Sequence, residues 1–132
     1  GENIEPGPLE EALVASPLIE QVMLVGQDQR QLGALIVPRP ETLLAWAAAK
    51  EVAVEPDLGG SPGDPALLRL LMKECNSLLK QRTGARADER LAGVVLVQPF
   101  SIENGLLTQT LKQRRDRITA RDAVLIEGLY GA

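Results

Sequence analysis

The 132 residues contain no histidine and a single cysteine, Cys75. These shortages remove whole classes of chemistry. A zinc site of the Cys/His type cannot be assembled within the chain, and neither a Ser-His nor a Cys-His nucleophile system is available to it. One cysteine cannot close an internal disulfide, which agrees with a reducing compartment. Aromatic residues are nearly absent, with one each of Trp46, Phe100 and Tyr130. They offer no stacking platform for single-stranded nucleic acid, and a formal net charge of -4 opposes general nucleic-acid binding. No apolar run approaches the roughly 20 residues of a membrane span. The opening Gly1-Glu2-Asn3-Ile4-Glu5-Pro6 has neither the basic start nor the apolar stretch of a signal peptide. The expectation is a cytoplasmic protein that neither binds nucleic acid nor spans a membrane.

What is present suffices for a core. Hydrophobic residues make up 45% of the chain and charged residues 24%, an ordinary globular balance, and the length fits one domain, residues 1–132. Pro6 and Pro8 suit only the beginning of a helix, whose face is Leu9, Ala12 and Leu13 and whose stop is Pro17. Val22–Val25 and Leu32–Val37, on either side of the polar Gly26–Gln31, have the pattern of two buried strands joined by a hairpin. From Pro40 to about Lys50, Leu43, Leu44, Ala47 and Ala48 recur at helical spacing, with Trp46 off the stripe and a candidate contact with a neighbouring domain. Proline and glycine alternate through residues 55–63, which reads as a surface loop. Asp64-Pro65 then supplies a cap and a first helical residue. Behind them Leu67, Leu68, Leu71, Met72, Cys75, Leu78 and Leu79 form a stripe ending before Gly84, with Cys75 a core residue. Ala92–Val97 is a third strand, and Ile118, Leu125, Ile126 and Leu129 mark one closing helix. A helical crossing between the second and third strands gives an α+β fold, a small three-stranded mixed sheet packed with helices.

Two segments carry more than packing requires. Gly1-Glu2-Asn3-Ile4-Glu5-Pro6, with Leu9 and Glu10, resembles the G-E-x-I-x-P-x-x-I-E segment that begins the mobile lid of adenylate-forming enzymes. That superfamily comprises acyl-CoA synthetases, peptide-synthetase adenylation domains and luciferases. Asn104-Gly105-Leu106-Leu107-Thr108-Gln109-Thr110-Leu111-Lys112 is similar to the N-G-L-L-T-x-T-x-K form around the catalytic lysine of long-chain fatty acyl-CoA synthetases. Many of those have proline where Gln109 stands. The P-x-T-x-x-G-K pattern of the peptide-synthetase and short-chain branches is absent, which favours the long-chain branch, with acyl-CoA and acyl carrier protein ligases in view.

The resemblance implies a carboxy-terminal lid of the acyl-CoA synthetase-like fold. Its hinge, and the N-terminal domain that binds ATP, Mg2+ and the fatty acid, would lie upstream of Gly1, and the fragment alone would be inactive. Such a ligase joins a carboxylate to the α-phosphate of ATP and then passes the acyl group to a thiol, that of coenzyme A or of acyl carrier protein. The resemblance makes Lys112 the catalytic cation of the first step, holding carboxylate and phosphate oxygens together. It places Gly1, Glu2 and Asn3 at the pantetheine channel of the second, where a residue without Cβ lets the backbone approach a ligand. Arg114, Arg115, Arg117 and Arg121 form with Lys112 a basic cluster. Its bland reading is a solvated face. Its functional reading is contact of Arg114 and Arg115 with a cofactor phosphate or an acidic carrier protein. From another class, a freestanding α+β interaction or regulatory module remains open; such a module has no reason to expose a lysine beside two threonines.

Overall fold

The computed structural model describes residues 4–26, 31–54 and 64–130. Gly1, Glu2 and Asn3, the polar connection 27–30 and the loop 55–63 lie outside the described residues. Eight elements follow in order: α1 (Pro6–Val14), β1 (Ile19–Val25), β2 (Leu32–Pro38), α2 (Pro40–Ala49), α3 (Pro65–Lys80), β3 (Leu91–Leu96), α4 (Arg115–Arg121) and α5 (Ala123–Tyr130). The sheet has the order β1-β2-β3. β1 runs antiparallel to β2, with Met23 opposite Leu35, and β3 runs parallel to β2 after the crossing through α2 and α3. It is a mixed three-stranded sheet, as the apolar pattern predicts.

Both faces of the sheet are covered, which explains why the strands read as nearly continuous apolar runs. Alternate residues serve different cores. Val22, Leu24, Ala34, Ile36, Val94 and Leu96 pack with α1, α2 and α3 around Leu9, Leu43 and Leu71. Met23, Val25, Leu35, Val37, Val95 and Val97 face the opposite side, where Phe100, Leu106, Leu107 and Ile118 close over them. At about 1.5–3 kcal/mol per fully buried aliphatic side chain, these two clusters supply the main drive to fold.

The helices follow their local signals with two differences. In α3, Asp64 accepts from the backbone N–H of Ala66 at 2.8 Å, Pro65 takes the first turn, and Leu67, Leu71, Cys75 and Leu79 are buried. In α2 only Leu43 and Ala47 are buried, whereas Leu44 and Ala48 face outward and Trp46 packs partly against the first core. The stripe is narrower than its apolar residues suggest because alanine and leucine sit on both faces. The closing helix is broken in two at Asp122, a residue type that favours helix starts over interiors. Asp122 is buried, its carboxylate accepts from Arg121 Nε at 3.0 Å, and its carbonyl receives the N–H of Ile126 at the start of α5.

Cys75 is fully buried on α3, and burial, reinforced by neighbouring Glu74, pushes its thiol up to about 12. The thiolate is the reactive form. A thiol reagent at pH 8 is therefore expected to leave Cys75 unmodified in the folded chain and to label it fully in denaturant; rapid labelling of the native protein would contradict this burial.

Candidate functional site

Residues 98–114 form an irregular segment between β3 and α4, and its shape is set by one asparagine. The Asn104 side-chain oxygen accepts from the N–H of Ser101 at 3.0 Å and of Leu106 at 3.1 Å, and its amide donates to the Pro99 carbonyl at 3.0 Å. Its own N–H donates to the Ser101 hydroxyl, also at 3.0 Å. Gly105 follows at φ +80°, a conformation that an L side chain adopts only with strain. The turn drives Leu106 and Leu107 into the second core, so the segment is anchored in apolar packing on one side. Three side-chain hydrogen bonds of this kind contribute about 1.5–4.5 kcal/mol together. Asn104→Ala is accordingly expected to lower the urea midpoint of the chain and to speed exchange of the Leu106 amide; an unchanged Leu106 amide would mean that the asparagine does not organise the turn.

From this anchor the chain makes a tight excursion that returns at Lys112. The Thr108 N–H donates to the Lys112 carbonyl at 2.8 Å, and the Lys112 N–H donates to the Thr108 hydroxyl at 3.0 Å. The Thr108 and Thr110 hydroxyls lie 3.1 Å apart, and Leu107 bridges Gln113 in antiparallel fashion. Leu111, at the tip, stands at φ +65° with its side chain 66% exposed. A bulky residue in the left-handed region costs of order 1–3 kcal/mol and persists only where its neighbours impose it. Here the Leu111 N–H is held by the Thr108 carbonyl at 2.8 Å. The backbone of Lys112 is thus fixed on both sides while its side chain is exposed, and its amine makes no hydrogen bond or ion pair among the described residues.

Lys112 lines a groove with Glu10, Glu11, Val14, Leu111 and Arg115, between α1, the outer edge of β1 and the returning segment. Three of the other four members of the basic cluster have side chains that are occupied. Arg115 makes a bidentate pair with Glu10, at 2.9 and 2.7 Å. Arg117 reaches the Gly105 carbonyl, at 3.4 Å. Arg121 donates to the carbonyls of Gln98 at 2.7 Å and Pro99 at 3.0 Å, and lies over the Phe100 ring. Arg114 donates its backbone N–H to Leu106 at 2.9 Å, and its side-chain Nε is buried without a protein partner. The arginines therefore brace the segment that presents the lysine. Sequence spacing along one short stretch did not disclose this, because their partners lie up to 105 residues away. A second groove, lined by Lys73, Lys80, Arg86, Arg90, Asn76 and Glu89, opens between α3 and the residues after it, and Lys112 has no part in it.

The matching family, AMP-binding enzyme C-terminal domain, covers residues 1–55. Relatives extend the match over 98% of the chain, through the Lys112 segment. The chain is similar over nearly its whole length to AMP-binding, adenylate-forming enzymes, and over residues 1–55 to their C-terminal domain. It is 37% identical over 134 residues to the probable acyl-activating enzyme 16, chloroplastic, of Arabidopsis thaliana, of which it spans 17%. It is 33% identical over 132 residues to the long-chain-fatty-acid CoA ligase FadD15 of Mycobacterium tuberculosis, spanning 21% of that protein. Among solved structures, the A domain of the carboxylic acid reductase from Segniliparus rugosus, in complex with AMP and a co-purified carboxylic acid, matches with TM-score 0.75 and 27% identity. That match covers 98% of this chain and 18% of that one. The mixed sheet with its surrounding helices is thus the fold of an adenylating enzyme's C-terminal domain, and this chain spans about a fifth or less of the length of each of these relatives.

Proposed function

We propose that this domain is the lid of a long-chain fatty acid ligase and that Lys112 is its adenylation lysine. The observation that carries the reading is an unpaired, exposed amine on a rigidly held turn, at the position matching the catalytic lysine of the long-chain pattern. In the first step a carboxylate oxygen of the fatty acid attacks the α-phosphorus of ATP, and the bond to pyrophosphate breaks. Two anions must meet, and negative charge grows on the phosphoryl oxygens. The Lys112 ammonium would bridge carboxylate and phosphate, favouring approach and stabilising the transition state. In the second step a thiol displaces AMP from the acyl-adenylate. Gly1, Glu2 and Asn3 would then flank the pantetheine arm, and the acceptor is coenzyme A or acyl carrier protein.

Among the described residues no group of three or more His, Cys, Asp or Glu is placed to share a metal ion. The resemblance assigns ATP and magnesium to an N-terminal domain of the same polypeptide, and no step here runs through the metal. With Arg115 committed to Glu10, a contact to phosphate or to an acidic carrier falls first to Arg114. A buried free thiol suits a reducing compartment, in keeping with a cytoplasmic ligase. No helix among the described residues is long and apolar enough to cross a membrane.

The test separates the two half-reactions in the full-length polypeptide carrying Lys112→Ala. Fatty-acid-dependent pyrophosphate release is expected to collapse while thioester formation from a pre-made acyl-adenylate survives. Equal loss of both, or of neither, would remove Lys112 from the adenylation step.

A further inference from the structure

Lys112 has a bracing system on its C-terminal side that the amine itself never touches. Glu10 projects from α1 and is largely buried. Its Oε1 accepts from Arg115 at 2.7 Å, and its Oε2 accepts both from Arg115, at 2.9 Å, and from the backbone N–H of Leu24, at 2.8 Å. Two residues along β1, the Val22 carbonyl accepts from the side-chain amide of Gln113 at 2.7 Å. β1 is an edge strand, so these two backbone groups point away from the sheet. Gln113 and Arg115, the first and third residues after Lys112, are therefore clamped to the free edge of β1 at two points. Thr108 clamps Lys112 from the other side.

A fork-to-fork pair between a guanidinium and a carboxylate fixes distance and plane together, unlike a point-charge contact. We propose that Glu10 and Arg115 are a positioning pair that, with Gln113, sets where the Lys112 amine stands in the adenylation step. The pair acts through Lys112 and touches no substrate; the inference rests on the role proposed above for that lysine. Its consequence is that the first motif contributes to the first half-reaction through Glu10, besides the role proposed for Gly1 to Asn3 in the second.

The experiment is a double-mutant cycle in the full-length polypeptide. Glu10→Gln keeps the shape and removes the charge; Arg115→Lys keeps the charge and removes the fork. Each is combined with Lys112→Ala, and each is assayed for ATP- and fatty-acid-dependent pyrophosphate release, for thioester formation from a pre-made acyl-adenylate, and for its unfolding midpoint. The expected result is a kcat for adenylation lowered about 10- to 100-fold, the range of a misplaced catalytic group. KM values for ATP and fatty acid should stay nearly unchanged, the thioester step should be spared, and no further loss should appear in the Lys112→Ala background. If both half-reactions fall together with the unfolding midpoint, the pair is a structural strut and the inference is overturned. Normal adenylation in both variants overturns it too. If Lys112→Ala alone leaves adenylation intact, the role of the lysine fails first, and that arm identifies which of the two readings was wrong.

Discussion

With Lys112 as the adenylation lysine proposed above, Lys112→Ala in the full-length polypeptide is expected to lower fatty-acid-dependent pyrophosphate release by on the order of 10²- to 10³-fold, the loss typical of removing one pre-placed charge-stabilising donor. The size follows from the geometry. The backbone of Lys112 is hydrogen-bonded to Thr108 through both its N–H and its carbonyl, so truncating the side chain should leave the turn in place. Its amine has no protein partner among the described residues to orphan, so folding stability should change little. The defect should therefore appear in kcat and kcat/KM alike, the pattern of an interaction made only in the transition state. Steady-state pyrophosphate release, paired with urea unfolding of the same variant, checks both statements. A loss below about threefold would place the amine away from the reacting phosphate.

Leu71→Ala is expected to cost about 2–5 kcal/mol of folding stability. Leu71 is 0% exposed in the cluster that joins α1, α3 and the sheet. Truncation removes its transfer free energy and leaves a cavity that neighbouring fixed elements cannot fill. Against a usual domain stability of about 5–15 kcal/mol, a loss of this size lowers the urea midpoint of the 132-residue chain substantially, with the slope of the transition unchanged. Leu68, one residue outside the buried row and only partly covered, should cost clearly less on the same change. Equal costs at the two positions would mean that α3 is not seated on the sheet through its 67-71-75-79 face. The Lys112 segment packs on the opposite side of the sheet, so the folded fraction of Leu71→Ala should retain the slow exchange of the Leu106 amide.

The same partition between local and distant forces decides how far the sequence could be read. α3 was legible in its start and its stripe: Asp64-Pro65 begins it and Leu67, Leu71, Cys75 and Leu79 face inward, whereas Leu68, Met72 and Leu78 of the same stripe are only partly covered and the helix ends at Lys80, short of Gly84. The three strands were legible as apolar runs, although β1 begins at Ile19, three residues before its uninterrupted run. α2 was legible as a helix but not in its inward face, since its composition is apolar nearly all round and only packing selects Leu43 and Ala47. The closing helix was legible as an apolar stripe but was read as one piece, although Asp122, where it divides, is a residue type that favours helix starts.

At the site, the motif from Asn104 to Lys112 by itself determined the turn. Asn104 satisfies its own neighbours, and Gly105 meets a positive φ, through interactions within about five residues. The absence of histidine likewise determined, without any structure, which chemistries the chain lacks. Only the tertiary structure decided what the arginines do. Arg115 and Arg121 read as members of one basic cluster, yet one is neutralised by Glu10 from the far end of the chain and the other pins the exit of β3. The reason is range. Turns and helix caps are written in contiguous residues, whereas the partner of a long charged side chain is chosen by which surfaces the fold brings together.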